Sequence, residues 1–521
     1  MSKDKFLRGA IILTIAGLMV KVIGSVNRIL LSRLLGGEGI GLYQMAYPIY
    51  LLLLAVSSAG IPVAISIIVA EHLAKKDYGG VQQIFRLSLR LTFGLGILLA
   101  GSLVVVSNWL IGSGIIQDGR AYYALLSLTP AVFFATILAS FRGFFQGHQL
   151  MTPPAVSQIL EQFVRVVTML VLAYMLLPHG LEFAAAGAAF GAVPGSITGI
   201  IVLSFFYRKY RHLWQQGEHK NIAAGPVVKR LLILALPVSC ANILVPVTSS
   251  IDMLLVPNRL IDSGFTVEQA TTLFGYLAGM AQPLLMMATI PTVSLAASLV
   301  PAVSEAYTLQ DKAGIEKKAA TAMKLCCLLT VPAAVGMSAL AEPISLLLYG
   351  TAKASAAIMH TGPAIWLLGM QQITTGVLQG MGKINLPMLH MLAGILVKIG
   401  AVWLLTDAAN NIAGAAWATN INFGLTALLN ILVLRHFGIS FKWSDTAKII
   451  GGAFVMGAAA VEGYALLSSC MGKTGAALGA MAIAVIVYSL ALMALGVIKK
   501  DELKHCLLYT SPSPRDSTSS R

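Results

Sequence analysis

Residues 43–71 read YQMAYPIYLLLLAVSSAGIPVAISIIVAE, and no charged side chain occurs in this stretch before Glu71. An apolar run of about 18 or more residues is long enough to cross a bilayer as an α-helix, whereas helices of soluble cores seldom need one. Similar runs recur along most of the chain. We therefore predict an all-α integral membrane protein.

The composition of the 521-residue chain agrees with this prediction. Hydrophobic residues make up 57% of it and charged residues 11%, compared with about 25% charged residues in a soluble domain. The net charge of +15 would suit nucleic acid if the basic residues formed one face of a folded domain. They lie instead in short gaps between apolar runs, so we expect no nucleic-acid partner.

Spans of about 20 residues give about fourteen predicted transmembrane helices. They lie at 8–31, 43–69, 87–111, 121–141, 154–177, 183–206, 231–257, 273–301, 323–349, 359–380, 386–406, 412–434, 447–468 and 474–497. Because the count is even, both termini are expected on the same side of the membrane.

The distribution of basic residues between the predicted helices indicates which side this is. Most lysines and arginines fall on the side of the termini, and cytoplasmic loops are the ones enriched in Lys and Arg. The opposite side has only Arg33, Arg120, Arg259, Lys353 and Lys473. We predict that both termini are cytoplasmic.

The sequence contains an internal repeat. With a one-residue gap, the run from Tyr43 to Glu71 matches the run from Tyr276 to Glu305. A second match has no gap: Gly143, Gln146, Gly147, Pro154 and Arg165 correspond to Gly376, Gln379, Gly380, Pro387 and Lys398. Each repeat has six predicted helices, so the halves should have the same orientation, with a substrate route between them.

The repeat divides the chain into five predicted segments. They are an N-terminal six-helix lobe at 1–206, a basic cytoplasmic linker at 207–230, a C-terminal six-helix lobe at 231–434, two appended helices at 435–500, and a tail at 501–521. The end of the tail, rich in serine and proline, is predicted to be disordered and is typical of a native tail or a non-native end.

Several charged residues lie inside apolar spans, where each costs about 2.5–3.5 kcal/mol on insertion scales. Lys21, Arg165 and Lys398 fall roughly 15–20 Å from the cytoplasmic edge at the rise of an α-helix, close to the midplane. Arg28 and Arg33 lie further outward. Such residues usually face an aqueous cavity or a partner, although Arg28 could tie two helices together and Arg33 could be an interfacial anchor.

Two acidic residues accompany these cations. Glu161 and Arg165 have the i,i+4 spacing of an intrahelical ion pair, which could simply neutralise itself. Lys398 has Gly394 at the equivalent position and so has no acidic partner on its own helix. Asp252 lies on the seventh predicted helix. The buried set is therefore cationic overall, which favours an anionic ligand because an opposite charge offsets the desolvation of buried Lys and Arg.

These observations define the predicted site residues. The substrate-binding set comprises Lys21, Arg28, Arg33, Arg165 and Lys398. Asp252 and Glu161 are candidates for coupling to an ion or proton gradient.

Glycine-rich segments are predicted as gating loops on the cytoplasmic side. Their candidate residues are Gly143, Gln146, Gly147, Gly376, Gln379 and Gly380. Glycine and proline at helix ends permit bends where helices rock against each other, and ordinary tight turns are the alternative.

No enzyme signature is present. The nine histidines and five cysteines show no metal-ligand spacing, and the sequence has neither a P-loop nor a G-x-S-x-G elbow. We predict a transporter that is not an enzyme and has no metal or cofactor. Most duplicated helical bundles of this size are transporters or channels.

The two segments 27–36 (NRILLSRLLG) and 38–48 (EGIGLYQMAYP), together with the repeat, resemble the stage V sporulation protein B and polysaccharide biosynthesis transporter family. This family belongs to the superfamily of multidrug, oligosaccharidyl-lipid and polysaccharide exporters. The resemblance implies two six-helix lobes around a central cavity, with the last two helices offering a groove for a lipid tail. It also implies basic residues in the first helix, where Lys21 and Arg28 stand.

The function that the resemblance implies is the flipping of undecaprenyl-pyrophosphate-linked sugars, including lipid II, from the inner to the outer leaflet of the bacterial plasma membrane. We expect alternating access, with a lipid-linked anionic substrate and membrane lipid as partners and a monomer as the working unit. The main alternative is a multidrug or organic-cation antiporter of the same superfamily, which would need a net acidic cavity. A membrane enzyme acting on polyprenyl lipids would need clustered acids or histidines.

Overall fold

The computed structural model describes residues 3–210, 223–441 and 443–497. Residues 211–222, which are half of the predicted linker at 207–230, and all of the predicted tail at 501–521 therefore lie outside the described residues. Within the described ranges every regular element is a helix, and the predicted all-α class is confirmed.

The helices follow one another along the chain with short connections. They are α1 (Lys3–Leu54), α2 (Gly60–Ala74), α3 (Tyr78–Gly112), α4 (Ala121–Gly147), α5 (Thr152–Leu176), α6 (Leu181–Phe190), α7 (Ala192–Lys209), α8 (Ala224–Asp262), α9 (Val267–Phe274), α10 (Gln282–Ala288), α11 (Ile290–Thr308), α12 (Lys312–Ala339), α13 (Ala341–Tyr349), α14 (Ser355–Thr361), α15 (Pro363–Gly380), α16 (Asn385–Leu405), α17 (Asn411–His436), α18 (Ser444–Cys470) and α19 (Lys473–Ala494). Two π-helical turns, Ala55–Ala59 and Gly275–Ala281, join α1 to α2 and α9 to α10.

Most of the predicted spans coincide with apolar helices of membrane-spanning length, but the one predicted at 359–380 corresponds to α14 and α15 and is not among them. In the described part of the chain, eleven helical stretches are long and apolar enough to cross a membrane, or twelve if the bent pair Val267–Ala288 and Ile290–Thr308 is one span. The first stretch, Ile12–Ala74, has 63 residues and contains two of the fourteen predicted helices. Gly36, with φ 68°, interrupts it with a non-helical residue. Glycine adopts this left-handed region without a Cβ clash, so the chain can kink there.

The chain forms two compact units. The first comprises Met1–Met287, Leu348–Ala357 and Leu392–Ile421, and the second comprises Ala288–Leu347, Ile358–Met391 and Asn422–Arg521. In the first unit, α2, α3 and α4 enclose an apolar core that includes Ile65, Phe85 and Phe144. In the second, α11, α12 and α15 enclose another, which includes Val303 and Val377.

The internal repeat is visible in how each unit packs its own helices. In the first unit, a Cβ on Gly147 of α4 would lie 2.7 Å from the Cβ of Val69 on α2. In the second unit, a Cβ on Gly380 of α15 would lie 2.7 Å from the Cβ of Val303 on α11. Small residues let the backbones of membrane helices approach this closely. Both halves therefore have a glycine at the matching position of close helix packing.

Matching helix caps support the same conclusion. The Asp77 carboxylate accepts a hydrogen bond from the backbone N–H of Gly80 over 2.9 Å and starts α3. Asp311 does the same with Gly314 over 2.8 Å and starts α12. Because these N-cap bonds satisfy otherwise unpaired N–H groups at the start of a helix, the two matched aspartates have a structural role.

Candidate functional site

Two arginines share one carboxylate between α4 and α5. Nη2 of Arg142 donates to Oε2 of Glu161 over 2.5 Å, and Nη2 of Arg165 lies 3.6 Å from Oε1 of the same residue. The three side chains are 22%, 15% and 15% exposed, respectively. The i,i+4 pair predicted on α5 is therefore present, but Arg142 makes the cluster cationic, with two positive charges on one negative charge.

Tyrosines of α1 lie between this cluster and Arg28. The second contact of Arg165 Nη2 is a hydrogen bond donated to the hydroxyl of Tyr50 over 3.2 Å. The ring of Tyr50 packs against Tyr47 with centroids 5.8 Å apart, and the guanidinium of Arg28 lies over the Tyr47 ring at 5.2 Å. An aromatic face attracts a cation without neutralising its charge. Arg28 therefore keeps its full positive charge beside the tyrosines.

Lys398 is paired, contrary to the expectation drawn from its own helix. Its Nζ donates to Oδ2 of Asp252 on α8 over 2.7 Å. Both residues are buried, at 1% and 5% exposure. The partner is 146 positions away along the chain, so helical spacing could not reveal it. The pair is neutral as a whole, and a direct contact of Lys398 with substrate would require it to open.

The three predicted cations on α1 differ in exposure. Lys21 and Arg33 both have exposed side chains, and Arg28 is half-buried. Among the residues that the structure describes, none of the three has an acidic partner. Between them, Asn27 is buried and its amide donates to the sulfur of Met169 on α5 over 3.3 Å.

Sequence reasoning missed Arg142, Tyr47 and Tyr50 as parts of this site. Tyr47 and Tyr50 are three positions apart on α1 and so lie on one helix face, which was a readable signal. Arg142 lies near the end of α4, and its contact with Glu161 on α5 depends on how the two helices pack, which the sequence does not show.

The prediction of gating loops at the glycine-rich segments is wrong about local structure. Gly143 and Gly147 lie in the last turns of α4, and Gly376 and Gly380 lie in the last turns of α15. A Cβ on Gly143 would come within 2.7 Å of the Pro62 carbonyl oxygen. These glycines serve helix packing, because the close approach leaves no room for a side chain. Gln146 and Gln379 lie in the same helical turns, and a gating role for the six residues stays a prediction.

A second charged cluster surrounds the start of α4. Arg120 donates from Nε and Nη2 to the two carboxylate oxygens of Asp118, over 3.0 and 2.9 Å, and from Nη1 to Glu38 over 2.6 Å. Thr271 of α9 donates to the same Asp118 over 2.8 Å. The hydrogen bonds with Asp118 hold the pKa of Arg120 above its ordinary value. This cluster joins α1, α9 and the segment before α4.

The π-helical turn Gly275–Ala281 packs closely against α1, and glycines lie at the points of closest approach. A Cβ on Gly275 would overlap the carbonyl oxygen of Gly37. Side chains from outside the turn donate to three consecutive carbonyls: Gln44 to Ala278, Ser32 to Gly279 and Tyr349 to Met280. The wide turn is therefore held by hydrogen bonds from other helices.

In the described part of the chain, no group of three or more His, Cys, Asp and Glu residues is arranged to hold a metal ion.

Comparison with known proteins gives matches over most of the chain. A family model described as polysaccharide biosynthesis protein matches residues 6–307, and one described as MatE matches residues 277–404. Stage V sporulation protein B of Bacillus subtilis (strain 168) is 32% identical over 511 residues, which cover 97% of this chain and 98% of that protein. Lipid II flippase MurJ of the same organism is 25% identical, and the match covers 84% of each chain.

Solved structures share the fold. The lipid II flippase MurJ in an inward closed conformation superposes with a TM-score of 0.70 at 14% identity, covering 96% of this chain and 100% of that one. An inward-facing multidrug resistance MATE family transporter gives a TM-score of 0.67 at 16% identity, covering 80% of this chain and 94% of that one.

Proposed function

This chain belongs to the polysaccharide biosynthesis protein family, and from that premise we propose that it is a flippase for undecaprenyl-pyrophosphate-linked sugars. The family predicted from residues 27–48 is confirmed by the match to residues 6–307 and by the 32% identity to stage V sporulation protein B. The chain is a multi-pass membrane transporter, not an enzyme. The proposed substrates are lipid II-like peptidoglycan precursors or polysaccharide precursors.

The observation that carries the proposal is the uncompensated positive charge on α1, α4 and α5. Arg142 and Arg165 share Glu161, and Arg28 lies on an aromatic ring without an acidic partner in the described structure. One guanidinium group can donate two parallel N–H hydrogen bonds to the oxygens of a phosphate. A pyrophosphate headgroup would supply the negative charge that balances these half-buried arginines.

The names of the relatives support the same substrate class. One is a lipid II flippase and another a sporulation protein, so the proposed cargo is a lipid-linked sugar with a phosphate-bearing head. A drug or organic-cation antiporter, the main alternative, would need a net negative site. The Asp252–Lys398 pair is neutral and does not provide one.

The proposed mechanism is alternating access. The headgroup enters from the cytoplasmic side, the prenyl tail stays in lipid, and the six-helix lobes at 1–206 and 231–434 rock to open the site outward. One elementary charge gains about 2.3 kcal/mol per 100 mV of membrane potential. A doubly charged head leaving a negative interior therefore gains roughly 4–5 kcal/mol, and the same field returns the empty cationic site. We propose that the protein works as a monomer in the bacterial plasma membrane with both termini cytoplasmic.

The test is outer-leaflet accumulation of a labelled lipid-linked precursor in cells depleted of their own flippases. Expression of the wild-type chain should restore accumulation. Arg28→Gln should lower the accumulation about tenfold or more at equal protein level. Arg28→Lys should retain part of the accumulation, because lysine keeps the positive charge but cannot donate two parallel hydrogen bonds to a phosphate.

The control is Arg90→Gln, which removes an exposed arginine from α3 and should leave accumulation unchanged. Wild-type accumulation no higher than in cells without the protein would refute the flippase proposal. Export of an organic cation by the same cells would favour the antiporter.

A further inference from the structure

Glu161 holds its two carboxylate oxygens toward two different arginines. Arg142 reaches Oε2 from α4, and Arg165 reaches Oε1 from its own helix, α5. Two cations placed on the two oxygens of one oxyanion form an arrangement that also suits a phosphate group, which presents two or more oxygens at a similar spacing.

The arginines have donors left over. A guanidinium has five N–H donors, yet Nε of Arg142 and Nε of Arg165 are both buried without a hydrogen-bond partner among the described residues. An unmade hydrogen bond at a buried charged group is costly. A single carboxylate therefore satisfies this pair incompletely, whereas a pyrophosphate has more oxygens to offer.

The carboxylate also lies beside a position without a side chain. On α7, a Cβ at Gly199 would lie 3.6 Å from Oε2 of Glu161, and a Cβ at Gly195 would lie 3.0 Å from the Cβ of Arg165. The side chain of Leu138 lies nearer, at 3.0 Å from the same Cβ position, so Gly199 faces both Leu138 and the carboxylate. No side chain at position 199 therefore packs against Glu161.

We propose that Glu161 is an internal substitute for substrate, occupying the Arg142–Arg165 pair until a phosphate-bearing headgroup displaces it. The inference rests on the proposed function and adds to it a binding pair, Arg142 and Arg165, and an exchange step. With the site empty, Glu161 offsets part of the desolvation cost of two half-buried arginines. With substrate bound, the phosphate oxygens take over both contacts and the unused donors.

The test is a binding measurement that does not depend on transport. The probe is farnesyl pyrophosphate, a short prenyl pyrophosphate, titrated into the purified full-length protein in lipid nanodiscs, with farnesol as the uncharged comparison. Arg142→Gln should weaken binding of farnesyl pyrophosphate about tenfold or more. Glu161→Gln should tighten binding of farnesyl pyrophosphate severalfold, because glutamine has the shape of glutamate but lacks the negative charge that competes for the arginines. Farnesol binding should not change in either variant.

Matched controls carry the same charge changes elsewhere. Glu268→Gln alters an exposed carboxylate and Arg90→Gln an exposed arginine, and neither should move the affinity by more than about twofold. Each variant is first shown to be monodisperse. Arg142→Lys provides a milder change and should bind more tightly than Arg142→Gln.

The outcomes separate this inference from the flippase proposal. If Glu161→Gln leaves affinity unchanged or weakens it, Glu161 only orients the arginines and the exchange is refuted, whatever the transport assay shows. If Glu161→Gln and Arg142→Gln shift farnesyl pyrophosphate binding as expected but the wild-type chain exports no lipid-linked precursor, the binding pair stands and the flippase proposal falls.

Discussion

Lys398 and Asp252 form a buried ion pair, with Nζ and Oδ2 2.7 Å apart and both side chains almost fully enclosed. Removing one partner of such a pair leaves an uncompensated charge in a region of low polarity, which typically costs about 3–5 kcal/mol. A loss of transport in Lys398→Ala would therefore not identify a substrate contact, because instability alone could produce it.

We predict that Lys398→Met and Asp252→Asn each lower the thermal unfolding midpoint in detergent, whereas the double variant recovers most of the loss. The reason is that the double variant leaves no buried charge. Thermal unfolding followed by intrinsic fluorescence measures this. If the decreases in unfolding midpoint of the two single variants add up in the double variant, the two residues do not stabilise the protein as a pair. Transport by the double variant then shows whether Lys398 or Asp252 has a role in transport besides forming the ion pair.

The ion pairs around Asp118 should contribute more to the free energy of unfolding than the exposed ion pair between Arg230 and Glu71 does. Arg120→Gln removes two hydrogen bonds from Asp118, whose side chain is 3% exposed, and should cost about 3 kcal/mol because the carboxylate stays buried. The matched control is Arg230→Gln, which breaks a pair with side chains 52% and 37% exposed. Exposed pairs contribute about 0–1 kcal/mol. Similar losses in the two variants would argue against a special role for the Asp118 cluster.

The paired glycines should be intolerant of even one methyl group. Gly147→Ala and Gly380→Ala each place a Cβ 2.7 Å from a valine Cβ on a neighbouring helix, and overpacking of this kind costs about 1–3 kcal/mol. Gly101→Ala on α3 has nothing within 4 Å and should be neutral or slightly stabilising. Thermal unfolding of the three variants decides the question. If all three behave alike, close helix packing does not explain the glycines.

The hydroxyl of Tyr349 should stabilise the π-helical turn. Tyr349→Phe leaves the buried Met280 carbonyl without its donor, at 2.7 Å in the wild type, and should cost about 1–3 kcal/mol. Tyr307→Phe removes a hydroxyl from a ring that is 44% exposed and provides the control. Hydrogen exchange at residues 275–288 should rise in Tyr349→Phe only. Unchanged exchange there would mean that the bond to Tyr349 does not hold the turn.

The helices and the duplication could be predicted from the sequence because both depend on patterns of neighbouring residues. Apolar runs define spans, and matched residues such as Asp77 and Asp311 recur in the two halves and cap equivalent helices. The i,i+4 pair of Glu161 and Arg165 follows from helical geometry in the same way.

Contacts between helices could not be predicted. The partner of Lys398 lies 146 positions away and that of Glu161 on α4 lies 19 positions away, and a single sequence does not say which helix faces which. The π-helical turns were also missed. The turn at Gly275–Ala281 accepts hydrogen bonds from Gln44, Ser32 and Tyr349, and the sequence does not show which helices bring these donors to it.

The turn at Gly275–Ala281 gives α10 a choice of register. Converting one π-helical turn to α-helix removes one residue from the turn, which rotates the following helix by about 100° and shifts it by about 1.5 Å. Gln282 and Leu285 would then face different neighbours without any break in the chain. Because Gln44 and Ser32 belong to α1, the helix that carries Arg28 is hydrogen-bonded to the turn, so a movement of α1 would be transmitted to the residues that follow it.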